Sequence, residues 1–297
     1  MKPPGDSAIL DALEDTRLEL SPDDESVLEP FRIVLRSYGR TDTGRVRAVN
    51  EDRFLMAELT PPPTEGSRAP GRAPALRLFA VADGMGGHAG GRRASGLTLE
   101  TLETSFCDSL RKGPNDPERL LRKLRESVLA ADAQVHGQAR EYPELHGMGS
   151  TLTAACLWQQ ELFIAQVGDS RCYLIRNGIL HRLTRDQTMV EEMLRAGVLK
   201  PAEAARHPWR HVITNAIGGV EAGAQPELRR VAVQSGDMIL LCSDGLTEMV
   251  SDEEILVEAQ GEADPERLCE RLVGFANARG GRDNITVIVA RIDPAGA

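Results

Sequence analysis

The sequence predicts an α+β layered sandwich and not a doubly wound sheet. About ten short apolar runs read as strands, and two pairs of longer stretches repeat their apolar residues at helical spacing. The helix pairs fall between runs of strands instead of alternating with single strands, which is the order of a layered α+β domain.

Residues 1–30 hold nine acidic residues against two basic ones and read as an acidic, mobile N-terminal arm. Strand patterning starts at Phe31 with "FRIVLRSYG" and resumes in "RFLMAEL". Residues 60–75, "TPPPTEGSRAPGRAPA", are too rich in proline for anything but an exposed loop. "LRLFAVAD" then reads as a buried strand. Residues 91–111 form a helix with Leu97, Leu99, Leu102, Phe106 and Leu110 on its apolar face. A second helix spans 117–140, started by Asp116-Pro117, with Leu120, Leu121, Leu124, Val128 and Val135 facing inward.

Strands return at "STLTAACLW", "ELFIAQVGD", "RCYLIRNG" and "ILHRLT". Two short helices, Gln187 to Ala196 and Pro201 to Arg206, interrupt them. "HVITNAIG", "ELRRVAV" and "DMILLCSDG" are strand-like again, helices follow at 252–260 and 265–279, and "NITVIVARI" closes the pattern.

Charge and composition exclude several functions. A net charge of −10 argues against a nucleic-acid partner, because phosphate contacts need a basic surface. No apolar run reaches the length of a membrane span, and the first residues lack a signal-peptide pattern. The five cysteines are widely spaced with no C-x-x-C pair, so free thiols in a reducing cytoplasm are expected.

The stretch "VADGMGGHAGG" looks at first like a phosphate cradle, and Gly84-x-Gly86-x-x-Ala89 fits a loose dinucleotide fingerprint. Asp83 at its mouth would repel a diphosphate, and Glu100 and Glu103, the next acids, fall in a helix instead of on a second strand. Four aspartates flank apolar runs in similar ways: Asp83-Gly84, Gly168-Asp169, Asp244-Gly245 and Asp283-Asn284. Any one of them alone reads as a turn. Together they put several carboxylates at the ends of buried strands, where each needs a partner. A divalent cation is the simplest shared partner, and the all-oxygen donor set suits Mg2+ or Mn2+. "RVRAVNEDRF" adds Glu51 and Asp52, with Arg47 offering a planar fork to a phosphate. Its alternative is a solvated loop of mixed charge.

Seven motifs occur in one order: "TDTGRVRAVNED", "VADGMGGHAGG", "GMGSTLTAA", "VGDSRCYL", "LTRDQTMVEEMLRAGVLKPAEAARHPWRHVITNAIG", "LLCSDGLTEMV" and "GGRDNITVIV". In that order they resemble the metal-dependent protein phosphatases of the 2C type, in their compact bacterial form, from about Phe31 to Ile292. The resemblance implies a four-layer αββα sandwich: a central antiparallel β-sandwich flanked by helix pairs. The catalytic domain would span 31–297, with a flap at 185–217. Met85 stands where animal members carry a histidine, and bacterial members share the "DGMGGH" form.

The same resemblance implies hydrolysis of phosphoserine and phosphothreonine in proteins by a metal-bridging water, with two or three Mn2+ or Mg2+ ions. Matched motif by motif, Asp83 bridges two ions and the Gly84 carbonyl binds one. Asp244 and Asp283 complete the first shell, while Glu51 and Asp52 act partly through water. Asp169 helps hold a third ion with Asp244 shared, and Arg47 clamps the phosphate. His88 is the candidate acid for the leaving alkoxide, against the plainer reading of an exposed loop histidine. His211 approaches a third ion or, more simply, serves a structural or solvent role. Trp209 either faces substrate or, the commoner fate of a lone tryptophan, is a partly buried anchor, and Arg171 reads as a brace for the Asp169 turn. The implied partners are phosphorylated proteins, a Ser/Thr kinase and its substrates, with no nucleic acid or membrane, for a cytoplasmic monomer. The rivals are a phosphoprotein-sensing module without turnover, which loss of a metal aspartate would mark, and a metal-dependent phosphodiesterase or nuclease.

Overall fold

Strand alternation sorts the buried side chains into layers. In β3 (Leu76–Ala82), Leu78, Ala80 and Ala82 belong to one apolar cluster and Phe79 and Val81 to another, and all five are buried. In β13 (Ile285–Asp293), Ile285, Val287 and Val289 face a third cluster, while Ile288, Ala290 and Ile292 join Phe79 and Val81. Both strands are therefore buried on two faces, and each lies in a sheet with helices behind it and another sheet in front.

This is a computed structural model, and it describes residues 34–59, 75–87, 90–112, 115–204, 206–220 and 223–293. The acidic arm, residues 60–74 of the proline-rich loop and His88 lie outside the described residues. One sheet runs β1 (Val34–Asp42), β13, β12 (Met238–Cys242), β8 (Arg171–Arg176), β9 (Ile179–Arg182). The facing sheet runs β11 (Glu227–Ala232), β7 (Glu161–Val167), β6 (Leu152–Trp158), β3, β2 (Arg53–Leu59), and every pairing in both is antiparallel. A small third sheet joins β10 (Ile217–Gly218), β5 (Gly149–Ser150) and β4 (Gly84–Met85).

Helices α1 (Gly90–Arg111) and α2 (Pro117–Glu141) cover the β3 sheet. Their apolar faces are as the spacing predicts, except that Leu121 is only partly buried. Asp116 caps α2 by accepting the Arg119 amide at 2.9 Å, with Pro117 in the first turn. Helices α6 (Asp252–Gly261) and α7 (Pro265–Ala278) cover the β13 sheet, and a Ser251/Glu254 capping box starts α6. The result is the four-layer αββα sandwich with an antiparallel centre. A fully buried Phe such as Phe106 contributes about 3 kcal/mol or more against truncation to alanine.

Two local expectations are corrected. "HVITNAIG" is not a strand: Ile213 makes a single bridge to Thr188, and only Ile217–Gly218 pairs in a sheet. Its polar residues are used locally instead. Asn215 Nδ2 donates to Gln187 Oε1 and to the Gln225 carbonyl, both at 2.8 Å. Likewise "DMILLCSDG" stops being a strand at Cys242, and Asp244 opens the one-turn helix α5 (Asp244–Thr247). Ser243 occupies the cap position and the Glu248 amide returns to the Asp244 carbonyl at 2.8 Å.

Candidate metal centre

Antiparallel register explains how distant carboxylates reach one rim. The end of β3 pairs with the start of β2, Ala82 opposite Arg53, so Asp83 and Asp52 continue side by side. In the other sheet the end of β12 pairs with the start of β13, Cys242 opposite Val287, which places Asp244 and Asp283 just beyond the same edge. Asp169 follows β7 at that edge as well. The sheets face each other, so the carboxyl of Asp83 is crowded by those of Asp52, Asp244, Asp169 and Asp283.

Burial and this crowding make full ionisation costly. Asp83 and Asp244 are held well above the usual carboxylate range, first by burial and then by neighbouring carboxylates. Burial pushes Asp52 to about 6 despite two hydroxyl donors. It pushes Asp169 to about 7, with Asp186 adding to the effect and Arg171 opposing it.

Four carboxylate oxygens, Glu51 Oε1, Asp52 Oδ1, Asp169 Oδ1 and Asp244 Oδ1, are buried with no hydrogen-bond partner. An isolated buried carboxylate oxygen is costly, and a hard divalent cation is the partner this all-oxygen set fits. Among the described residues, the only three His, Cys, Asp or Glu ligand groups within 4.8 Å of one another are His211, Asp244 and Glu248, so Asp83, Asp244 and Asp283 do not close on a single point.

Glycine is required where the chain crosses this space. A Cβ at Gly84 would sit 2.1 Å from the Gly91 carbonyl oxygen. A Cβ at Gly91 would lie 2.8 Å from both Glu51 Oε1 and the Gly84 carbonyl oxygen, so these two oxygens line one small gap. The glycine-rich loop is thus a passage beside carboxylates and not a diphosphate cradle.

A second layer, which sequence reasoning missed, fixes the acids. Ser243 Oγ and Thr286 Oγ1 each donate to Asp52 Oδ2 at 2.7 Å. Asn284 accepts the Glu51 amide at 2.8 Å and donates to the carbonyls of Thr43 (2.9 Å) and Val49 (3.0 Å), stapling the 43–51 loop to the start of β13. Thr151 Oγ1 accepts the Asp83 amide at 3.0 Å and meets Ser170 Oγ at 2.8 Å. Ser243 adjoins an aspartate motif, which is a usable signal. Thr286 sits in an apolar strand and carries none.

Arg47 Nη2 lies 2.5 Å from Asp283 Oδ2, with its side chain about half exposed. Arg171 forks onto Asp186 (3.0 and 2.7 Å) at the base of the flap segment, so it braces that base more directly than the Asp169 turn. Trp209 is not a partly buried anchor: it is 54% exposed, with the His207 ring edge-on at 5.5 Å. His211 Nδ1 reaches Glu248 Oε1 at 2.5 Å, and the ligand atoms of His211, Asp244 and Glu248 all lie within 4.8 Å of one another. Glu248, four residues after Asp244 and so on the same side of one helical turn, was legible in the sequence and missed.

Comparison with known proteins gives the arrangement its context. The protein phosphatase 2C family model matches residues 70–282. The serine/threonine protein phosphatase PstP of Mycobacterium tuberculosis is 39% identical over 260 residues, covering 88% of this chain but 45% of its own length. The chain thus spans less than half of that relative. The serine/threonine phosphatase stp of Listeria monocytogenes is 34% identical over 254 residues, 86% of this chain and 94% of its own. A crystal structure of the catalytic domain of PstP with two manganese ions superposes with a TM-score of 0.72 at 37% identity, over 88% of this chain and all of that one. On a match over most of its length, and on a fold that agrees with it, this chain belongs to the protein phosphatase 2C family.

Proposed function

We propose that this chain is a metal-dependent serine/threonine protein phosphatase, with a catalytic domain from residue 31 and an acidic arm over 1–30. The observation that carries the reading is the rim of buried, unpartnered carboxylate oxygens at the joint edge of the two sheets. The names of the relatives and the manganese in the PstP catalytic domain support the same chemistry.

Asp83, the Gly84 carbonyl, Asp244 and Asp283 would hold Mn2+ or Mg2+ ions, with Glu51 and Asp52 outside them and Asp169 toward a third ion. Bound there, such ions supply a nucleophilic water near neutral pH and offset charge on the phosphoryl oxygens. The protein's own residues do the rest. Ser243 and Thr286 orient Asp52, and Asn284 fixes the loop that carries Glu51. Arg47, half exposed and already paired with a carboxylate, presents a guanidinium fork to the substrate phosphate. His88 is the proposed donor to the leaving serine or threonine oxygen.

Its partners would be phosphorylated proteins, among them a Ser/Thr kinase and that kinase's substrates, met as a monomer in the cytoplasm. All five cysteines are free, which fits a reducing compartment, and no helix among the described residues is long and apolar enough to cross a membrane. The test is phosphate release from a phosphothreonine peptide and from a phosphodiester, before and after chelation. We expect turnover of the peptide alone, lost on chelation and restored by Mn2+. Turnover that survives chelation, or that favours the diester, overturns the reading.

A further inference from the structure

We propose that Asp132, a buried residue of α2, is a positioning residue for the metal centre: it anchors the small third sheet and, through it, the backbone of Asp83 and Gly84. The inward face of α2 is apolar around it, with Val128, Ala131 and Val135 fully buried. Asp132 itself is 6% exposed, and its hydrogen bonds among the described residues all come from backbone amides. Oδ1 accepts the Gly218 amide at 2.7 Å, and Oδ2 accepts those of Gly223 (3.2 Å) and Ala224 (3.1 Å). A buried carboxylate is costly to keep, and these three donors offset that cost. An asparagine has one acceptor oxygen and cannot take donors on both sides.

What Asp132 grips leads to the centre in two steps. Gly218 belongs to β10, which pairs with β5 as Gly218 opposite Gly149 and Ile217 opposite Ser150. Strand β5 pairs in turn with β4, Ser150 opposite Gly84 and Gly149 opposite Met85. Thr151, next in the chain, exchanges two bonds with Asp83. Its amide donates to the Asp83 carbonyl at 2.8 Å, and its hydroxyl oxygen accepts the Asp83 amide at 3.0 Å.

These strands are two residues long, too short to hold their register unaided. Beyond Gly218 the loop borders a cavity of about 660 Å3 shared with α3 (Met189–Arg195), so that side of it is open. Asp132 therefore supplies from behind, on a helix docked to the core, the rigidity that such short ladders lack. The centre needs that rigidity. A carbonyl ligand has no rotamer to adjust, so the Gly84 oxygen stands where its backbone is held.

The proposal rests on the metal-centre reading, and two measurements keep their failures apart. Mn2+ binding to the full chain is titrated by calorimetry, and amide hydrogen exchange of the metal-free chain is followed in chelator. Asp132→Asn keeps the shape and loses one side of the grip, while Asp132→Ala loses all of it. Asp237→Asn is the control. Asp237 is also buried, but it lies before β12 at the far end of the sandwich, where it holds Arg176 (2.9 Å) and the Gln234 amide (2.8 Å).

We expect Mn2+ affinity to fall about tenfold in Asp132→Asn, further in Asp132→Ala, and not at all in Asp237→Asn. In Asp132→Asn the acceleration of exchange at the Thr151 amide should exceed that at the amides joining β12 and β13 by at least about tenfold. Mn2+ affinity at the parent level in both Asp132 variants, or exchange that rises equally across the molecule, would make Asp132 a general stabiliser and overturn the proposal. A parent chain that binds no Mn2+ would overturn the metal-centre reading, and the exchange comparison would still decide whether Asp132 holds the backbone of Asp83 and Gly84.

Discussion

Thr286 Oγ1 donates to Asp52 Oδ2 across 2.7 Å, joining residues 234 positions apart at the floor of the centre. The direction is set at the carboxylate: ionised Asp52 only accepts, so Thr286 Oγ1 gives its proton there and accepts from Thr41 Oγ1 at 2.8 Å, which in turn accepts from Asn50 Nδ2 at 2.9 Å. With Ser243 on the same oxygen, Oδ2 is satisfied and Oδ1 stays turned to the cluster without a partner.

Thr286→Val keeps the strand shape and removes that donor. Mn2+ affinity should fall about ten- to a hundredfold, the usual effect of losing an outer partner of a metal ligand. Calorimetric titration checks it. An unchanged affinity would show that Asp52 is held by Ser243 alone.

Asp244→Asn should remove nearly all phosphopeptide turnover, about a thousandfold or more, because a carboxylate shared between ion sites is lost. The same change takes a crowded, buried charge out of the metal-free protein. Its melting temperature without metal should therefore hold or rise. Thermal scans in chelator beside turnover assays test both halves, and a variant that keeps most activity would contradict the assigned site.

In the metal-free protein, stability should fall as pH rises from about 4, the ordinary aspartate value, to about 7. Burial raises Asp52 to about 6 and Asp169 to about 7, so the folded state keeps protons that the unfolded chain has already lost. Where the folded state binds more protons, stability declines with rising pH. Saturating Mn2+ should flatten or reverse the slope, since the ion takes the protons' place. Denaturant midpoints at several pH values, with chelator and with Mn2+, give the comparison.

Arg47→Ala should raise KM about ten- to a hundredfold with a smaller change in kcat, as loss of a charged hydrogen bond to the substrate phosphate would. The guanidinium lies 2.5 Å from Asp283, so the variant also tests whether the arginine serves the ion site instead. In that case metal affinity would change and KM would not.

Apolar spacing and motif order were enough to read the layers, the helix faces and the succession of acidic motifs. Apolar periodicity is a local property: Phe79 and Val81 alternate with Leu78 and Ala80 whatever lies across from them, and Asp116-Pro117 starts a helix unaided. It failed where polar side chains replace strand pairing, as at Asn215, and where a one-turn helix is too short to show a period, as at Asp244.

Which oxygens face one another is settled by the packing of the two sheets. Register sets Ala82 opposite Arg53 and Cys242 opposite Val287, and the stacking of two sheets brings those edges to one rim. The partners of Asp52 and the meeting of His211 with Glu248 arise there too, between segments far apart in the chain. Contacts of that range depend on how whole layers close, and no window of neighbouring residues records it.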